Sequence, residues 1–514
     1  MAYQTVHTKK NGIKYVYSVT SYWDKEKKAP RNKQVCLGRL DEATGEIIKT
    51  DKAVADAGKL AEMPEIKARN VVVGPTSILE RIALDVGLIR ILKRCFPEQY
   101  LQILSLAYFL VHKGLPLSRC EMWSTLHRHP FNNPLPSQRV SEILRDCKEE
   151  GRQAFFAAWM KHLAETECFF YDITSVSSYS EQNEYIRYGH NRDNEKLPQI
   201  NLAMLFGQKS GLPAYYRRLQ GGISDVSTLK TTVKTLDFIG QTKLAFVLDR
   251  GFYSETNVDA LFDSGCQFVL ACPRRKWTQS LYDEYRDSIL SYKNRYAFSE
   301  NEVLYMQTKL YKWNGYRCYA HIYFNNVRAA EELDAFALKL ALWQEELESG
   351  NDIKEHQWAY EKYFVVKDTP KRGRKVVENI KAVQEATKKY VGFFCLLTPK
   401  KMDALKALEI YRRKEAVENS FDDLKNTLDM KRLRIHSSYA MDSRLFIQFI
   451  SLIILSKLRE IKNQNLKIRH LTVREVMEAM ESISEIRVSG RYGKVITEAD
   501  PLQRDIMCAF DVHF

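Results

Sequence analysis

The period of hydrophobic and polar positions changes along this chain of 514 residues. In residues 1 to about 70, apolar and polar positions alternate over short stretches such as Ile13 to Val19, and glycines separate these stretches, which predicts a small antiparallel sheet. From Pro75 the period becomes helical. Ser77, with Glu80 three positions later, predicts that the first of several helices begins with a capping box.

Apolar strands dominate the next part of the chain, and two of them end in an aspartate. Residues 167–172 end in Asp172, and residues 244–249 end in Asp249. Strands are also predicted over residues 199–206, 212–219 and 266–271, and a helix over residues 226–239. Strands that first form a meander and then alternate with helices predict a mixed α/β sheet.

The pattern weakens between about Pro273 and Tyr390, which indicates an inserted subdomain. This segment contains polar strands, a predicted helix over residues 328–347 and a basic loop over residues 371–375. A buried strand over residues 391–397 then resumes the sheet, and one long helix is expected from about residue 402 to residue 428.

Composition and charge indicate a polyanionic partner. Lys and Arg number 78 against 64 Asp and Glu, so the formal net charge is +14 and the isoelectric point is about 9.1. The longest uncharged apolar runs, residues 100–111 and 445–456, are shorter than the roughly 20 residues of a membrane helix, which predicts buried core helices. The N-terminal residues lack the pattern of a secretory signal, so a cytoplasmic protein is expected.

Two segments before residue 165 are candidates for DNA contact. The N-terminal region is rich in basic residues, and they are Lys9, Lys10, Lys25, Lys27, Lys28, Arg31 and Lys33. A DNA-binding sheet and a solvated basic hairpin both fit this pattern. Residues 137–147 are expected to form a helix whose exposed first turn carries Ser137, Gln138 and Arg139, as in either a recognition helix or an ordinary bundle helix.

Three carboxylates define the candidate chemistry. Two strands that end in Asp172 and Asp249, followed by a helix that carries Glu418, can bring three hard oxygen ligands to one edge of a sheet. Such ligands suit Mg²⁺ or Mn²⁺, and two ions about 4 Å apart can support displacement at a phosphodiester. An isolated strand that ends in Asp also fits a helix cap or a turn. The sequence contains no phosphate-loop motif and no cysteine or histidine cluster with zinc spacing.

The helix that carries Glu418 presents a mixed face. At about 100° per residue, Tyr411, Lys414, Glu418 and Lys425 lie within an arc of roughly 60° if the helix is straight. An exposed helix with stacked ion pairs explains this face. A metal-binding glutamate flanked by side chains that bind phosphates explains it as well.

The same four residues resemble a known signature. Tyr, two residues, a basic residue, three residues, Glu, six residues and Lys is similar to the Tyr-Arg-Glu-Lys signature of one large branch of the bacterial insertion-sequence DDE transposases. The segments YDITSVSSYS around Asp172, GHNRDNEKLPQINLAMLF from Gly189 and VLDRGFYSE around Asp249 also resemble blocks of that family, over about residues 167 to 460. Lys414 replaces the arginine of the signature, which keeps the charge and loses a planar bidentate donor.

The resemblance implies a ribonuclease-H-like catalytic core interrupted by an insertion. By motif, Asp172 would bridge two Mg²⁺ or Mn²⁺ ions, and Asp249 and Glu418 would complete their coordination. Tyr411, Lys414 and Lys425 would hold the phosphates of the transposon ends. Arg250 is a further candidate for a phosphate contact, although a structural ion pair is an equal alternative.

The expected domains follow from the pattern and the resemblance together. They are a small basic β domain (1–70), a helical domain for end binding or dimerisation (71–165), the first part of the ribonuclease-H-like core (166–272), the insertion (273–390), the second part of the core with the catalytic helix (391–460), and a C-terminal segment (461–514).

The implied activity is cut-and-paste transposition. Water would cut at the ends of the element, and the exposed 3′-hydroxyls would then attack target DNA in the same site. The expected partners are double-stranded DNA, as terminal inverted repeats and target, and a second copy of the chain; no membrane partner is expected. The expected location is the bacterial cytoplasm, on the nucleoid when DNA is bound. A ribonuclease-H-like host nuclease without strand transfer and a domesticated DNA-binding descendant are the alternatives.

Overall fold

The structure is a computed structural model of the chain. It describes residues 2–24, 29–50, 68–163, 169–179, 185–189, 196–222, 245–299, 302–369, 373–388, 390–414, 420–428, 432–433, 438–488 and 494–514. The chain divides into two compact units. The first unit comprises residues 1–70 and 485–497, and the second comprises residues 71–484 and 498–514.

Antiparallel strands form the first unit, as the alternating pattern predicts. Strands β1 to β4 form a four-stranded sheet in sequence order, with the bounds Ala2–Thr8, Lys14–Asp24, Ala29–Leu40 and Ile47–Ile48. Its buried side chains are Val16, Val19, Val35 and Cys36. A three-stranded sheet has the order β19-β18-β5, and its strands are β5 (Ala68–Val72), β18 (Ser484–Val488) and β19 (Lys494–Ile496).

A ten-stranded mixed sheet is the centre of the second unit. Its order is β11-β12-β13-β16-β10-β9-β6-β7-β8, and β17 also pairs with β6. The strands are β6 (Phe169–Ser178), β7 (Gln199–Gly207), β8 (Pro213–Gln220), β9 (Ala245–Leu248), β10 (Gln267–Cys272), β11 (Arg295–Ser299), β12 (Glu302–Trp313), β13 (Tyr316–Asn325), β16 (Phe393–Thr398) and β17 (Arg432–Leu433). The mixed α/β class is therefore confirmed.

The second unit also contains the α-helices. In chain order they are α1 (Gly74–Asp85), α2 (Leu88–Cys95), α3 (Tyr100–Lys113), α4 (Cys120–Leu126), α5 (Ser137–Asp146), α6 (Glu149–Leu163), α7 (Glu255–Asp263), α8 (Lys276–Ile289), α9 (Asn326–Ser349), α10 (Gln357–Tyr363), α11 (Ile380–Lys388), α12 (Ala404–Arg412), α13 (Ser438–Gln464), α14 (Val473–Ala479) and α15 (Pro501–Ala509). The predicted helix over residues 226–239 lies outside the described residues.

The two long apolar runs lie inside the protein. Helix α3 is buried along almost its whole length, as predicted from its sequence. Within α13, the segment Tyr439–Gln464 is long and apolar enough to cross a membrane, but 78% of its most apolar window is buried inside the protein. Burial against protein is the environment expected for a core helix.

The start of the first helix differs from the prediction. Helix α1 begins at Gly74 with a proline in its first turn, so Ser77 lies within the helix. The Ser77 hydroxyl donates to the carbonyl of Val73 at 2.7 Å. The predicted capping box of Ser77 and Glu80 is therefore wrong, because proline at the first helical positions needs no N–H partner and moves the helix start upstream.

The segment predicted as an insertion takes part in two different structures. Strands β11 to β13 extend the central sheet, because β13 pairs with β16. The helices α9 to α11 instead accompany the separate hairpin of β14 (Phe364–Thr369) and β15 (Gly373–Glu378), which has its own small apolar core around Trp343. Residues 373–375 of the predicted basic loop begin β15, because they pair with β14.

Candidate active site

Adjacent parallel strands bring Asp172 and Asp249 to the same level of the sheet. Strands β6 and β9 pair Phe169 with Phe246 and Phe170 with Val247, and each aspartate follows two residues after the second pair. Asp249 follows the end of β9 directly, as predicted. The carboxyl end of adjacent parallel strands is where open α/β sheets bind ligands.

Asp172 lies within its strand and not at the strand end, which corrects the prediction. Strand β6 continues to Ser178 and stays paired with β7, and all ten of its residues are buried. The β-branched residues Ile173, Thr174 and Val176 favour the extended backbone, so the carboxylate does not end the strand. Strand β9 stops at Leu248, so its pairing with β6 ends before the level of Asp172.

Lys414 joins the two aspartates. Its Nζ lies 3.4 Å from Oδ2 of Asp172 and 3.2 Å from Oδ2 of Asp249. The side chains of Asp172 and Lys414 are only 6% and 8% exposed, whereas that of Asp249 is 43% exposed. Two carboxylates therefore converge on one buried cation, an arrangement that would be costly without a positive charge.

Two hydrogen bonds further stabilise the ionised form of Asp249. Its Oδ1 accepts hydrogen bonds from the backbone N–H of Arg250 at 2.7 Å and from the hydroxyl of Tyr411 at 3.0 Å. Burial alone would raise the pKa of Asp249, but the Lys414 charge and these two donors hold it below its ordinary value. Burial and the nearby Asp249 charge raise the pKa of Tyr411, so its hydroxyl remains a donor.

The donor set fits a divalent cation. Asp172 and Asp249 supply hard oxygen ligands, and in this structure the Lys414 ammonium provides the cation on which they converge. Glu418, the third predicted ligand, lies outside the described residues. Two of the three predicted carboxylates are thus brought together.

The helix that was expected to carry the third carboxylate is not one straight α-helix. Helix α12 ends at Arg412, and the N–H of Lys414 then donates to the carbonyl of Tyr411 at 3.2 Å in a turn. Residues 423–427 form a π-helical turn, a rare structure that is frequent at functional sites. The prediction of a continuous helix from 402 to 428 is therefore wrong, and with it the geometry of a single helical face.

The four predicted phosphate-binding residues have different environments. Tyr411 and Lys414 both contact Asp249. Arg250 is exposed in a short 3₁₀ turn directly after Asp249, and it lines a cavity of about 500 Å³ together with Tyr411. Lys425 is half-buried in the π-helical turn.

Sequence patterns did not reveal a carboxylate that holds the end of α12. Both terminal nitrogens of Arg412 donate to Glu302 of β12, at 2.7 and 2.6 Å, and Asn325 donates to the same carboxylate at 2.6 Å. The Arg412 hydrogen bonds are the main cause of a lowered Glu302 pKa. A bidentate arginine pair fixes direction as well as distance, so it orients the residue next to Tyr411.

We expect Glu302→Gln to slow turnover at this site about tenfold or more without weakening substrate binding, because loosening α12 displaces Tyr411 from Asp249. The single-turnover rate and equilibrium binding measured on the same variant test this. Glu284→Gln is the matched control, since Glu284 pairs with Lys309 away from α12. Unchanged cleavage by Glu302→Gln would contradict the positioning role.

A second cluster of titratable side chains, formed by His112, His127 and Glu481, is a hydrogen-bonded structural cluster. The indole N–H of Trp123 donates to Nδ1 of His112 at 2.9 Å, so Nε2 of His112 carries the proton that faces Glu481 at 3.0 Å. Nε2 of His127 lies 3.0 Å from the other oxygen of Glu481. Burial by itself would raise the pKa of Glu481, but hydrogen bonds from both histidines and from Lys113 outweigh it and hold the pKa well below its usual range. Because Nε2 of His112 carries a proton, it has no lone pair for a metal ion. These side chains therefore act as a hydrogen-bonded link between segments of the chain.

Comparison with known proteins identifies the class. Residues 164–454 match a family model described as the transposase DDE domain, and this region contains Asp172, Asp249, Tyr411, Lys414 and Glu418. The chain therefore belongs to the family of transposases with a DDE domain. It is a DNA transposase, and its partner is DNA.

A cryo-EM structure of the piggyBac transposase synaptic complex with hairpin DNA matches with a TM-score of 0.35 and 10% sequence identity, over 80% of this chain and 77% of that chain. No curated protein matches the sequence significantly.

Proposed function

We propose that this transposase cuts the ends of its element and joins them to target DNA at one carboxylate site formed by Asp172, Asp249 and Glu418. The observation that supports this most directly is the convergence of Asp172 and Asp249 on the ammonium of Lys414. We further propose that the central sheet is a ribonuclease-H-like core, with residues 273–390 as its insertion.

Two Mg²⁺ or Mn²⁺ ions are the proposed cofactor. When bound, they would activate the attacking oxygen and stabilise the leaving oxygen of the phosphodiester. Asp172 and Asp249 already converge on one cation, the Lys414 ammonium, and the lowered pKa of Asp249 keeps that carboxylate available as an oxygen ligand. Glu418, four residues after Lys414 in the sequence, is the proposed third ligand.

The cations around the carboxylates are proposed to hold the DNA backbone. Arg250 is exposed beside Asp249, and Lys414 carries a positive charge at the carboxylates. Tyr411 keeps its proton and orients Asp249. Phosphate contacts of this kind place a scissile bond without reading its sequence.

Cutting and joining together require two ends of the element and a target DNA. We propose that a homodimer holds both ends in synapsis, in the bacterial cytoplasm and on the nucleoid.

The test of the proposed function uses the DNA that flanks the gene. Inverted repeats found there are mixed with the purified protein, Mg²⁺ and a circular target. Junctions between paired ends and target would support transposition, whereas cuts that need neither a second end nor a target would indicate a nuclease without strand transfer. A failure to cut at all would support a DNA-binding descendant.

We expect Lys425→Ala to weaken binding to end DNA and to make its salt dependence shallower. Loss of one phosphate contact reduces the slope of log K against log salt by about 0.9. Lys401→Ala, which removes an exposed lysine ahead of α12, is the control. An unchanged slope for Lys425→Ala would show that Lys425 does not contact a phosphate.

A further inference from the structure

The hairpin of β2 and β3 extends beyond the strands that flank it. Strand β1 pairs with β2 only as far as Thr20, and β4 pairs with β3 only at Arg39 and Leu40. Among the described residues, residues 21–24 and 29–32 therefore pair only with each other, as a two-stranded ribbon. We call residues 20–24 and 29–33, which include the last pair covered by β1, the β2–β3 ribbon.

Both faces of the β2–β3 ribbon are open to solvent. Tyr22 is 50% exposed and Trp23 is 58% exposed, although they are neighbours on opposite faces. Arg31 and Lys33 are exposed as well. An isolated two-stranded hairpin is marginally stable in water, and exposed large aromatic side chains add no folding energy. These properties suit a ribbon that is stabilised by a partner on binding.

The two faces of the β2–β3 ribbon differ in charge. Tyr22 pairs with Arg31, and Thr20 pairs with Lys33, so both cations project from one face. The other face carries Ser21, which donates to Asn32 at 2.7 Å. No ion pair of Arg31 or Lys33 occurs among the described residues.

One acidic residue also belongs to the cationic face. Asp24 pairs with Ala29 at the far end of the β2–β3 ribbon, and it already takes part in another interaction. Arg31 and Lys33, two residues apart on one strand, are separated by about 6.7 Å, close to the rise of two base pairs. Their spacing therefore matches phosphates along a duplex.

We propose that the β2–β3 ribbon is a duplex-DNA binding surface that enters a groove, with Arg31 and Lys33 on backbone phosphates and Tyr22 against the groove wall. A two-stranded ribbon fits the major groove, which is about 12 Å wide. The two exposed cations on one face favour a partner with regularly spaced negative charges, which a DNA backbone supplies along its whole length. This proposal rests on the chain being a DNA transposase and not on the assignment of the carboxylate site.

Full-length protein with Arg31→Gln and Lys33→Gln tests the β2–β3 ribbon. We expect the slope of log K against log salt to become shallower by about 1.8, because two phosphate contacts are lost. The matched control is Arg39→Gln with Lys49→Gln, which removes the same charge from exposed positions of the same unit outside the ribbon. Equal losses in both variants, or no loss in either, would overturn the proposal.

A second measurement locates the contact directly. A benzophenone amino acid in place of Tyr22 should cross-link to duplex DNA upon irradiation, and an exposed residue should tolerate this change without a lower unfolding temperature. Cross-links only to a second copy of the chain, or only to single-stranded nucleic acid, would overturn the proposal. Cleavage of bound DNA is measured separately with Asp172→Asn. This variant should lose cleavage but keep the cross-link, which distinguishes the β2–β3 ribbon from the carboxylate site.

Discussion

Asp172→Asn and Asp249→Asn should each reduce DNA cleavage at least about 10³-fold while binding to end DNA stays within about twofold of the wild type. Each change replaces a carboxylate of the proposed cation site by a neutral amide, which is a weaker ligand for a hard cation. A catalytic metal contributes several kcal/mol to the transition state, and about 4 kcal/mol corresponds to this loss of rate. Glu418→Gln is expected to behave in the same way.

The comparison must separate lost chemistry from lost folding. Binding and thermal unfolding are measured on the same preparations as Mg²⁺-dependent cleavage. Asp287→Asn, at an exposed position of α8, is the matched control and should cut normally. If Glu418→Gln cuts normally, the carboxylate triad is misassigned, and Glu415 or Asp422 becomes the next candidate. If the aspartate variants cut normally, the proposed site is wrong.

Lys414→Met should destabilise the metal-free protein, and Mg²⁺ should restore most of the loss. Without the ammonium, the carboxylates of Asp172 and Asp249 lose the cation that both of them contact. Breaking a buried ion pair typically costs 3–5 kcal/mol, and we expect about 3 kcal/mol here because Asp249 is partly exposed. The measurement is thermal unfolding in chelator and in excess Mg²⁺, with and without the substitution.

Two further variants test the cause of this effect. Lys414→Arg keeps the charge and should lose little stability. Adding Asp172→Asn to Lys414→Met removes the repulsion and should recover stability in chelator, so the two changes should not be additive. A Lys414→Met protein as stable as the wild type in chelator would show that Lys414 does not hold the carboxylates together.

Local patterns predicted most elements near the site because burial and period are local properties. The alternation or apolar run in β6, β7, β8, β9, β10 and β16 is visible in each segment alone. Errors arose where a local signal had two meanings. Ser77 had the spacing of a cap but lies inside α1, and Asp172 looked like a strand end but lies inside β6.

The helical face that was predicted from Tyr411 to Lys425 illustrates another limit. The helical period placed Tyr411 and Lys414 on one face, and in the structure both side chains contact Asp249. The α-helix nevertheless ends at Arg412, whose side chain binds Glu302, and Lys414 contacts the aspartates from the turn that follows. A periodicity argument presumes an unbroken helix and cannot detect such a turn.

The mixed α/β class, the positions of most strands, the excess of positive charge and the types of residue available for metal and phosphate binding were predictable from the sequence. These features depend on local periodicity and on composition. The fold was needed to show that Lys414 lies between Asp172 and Asp249, and that Glu302 holds Arg412. Those pairs are far apart in the chain, and they meet only because the order of strands in the sheet places them side by side, which no local pattern encodes.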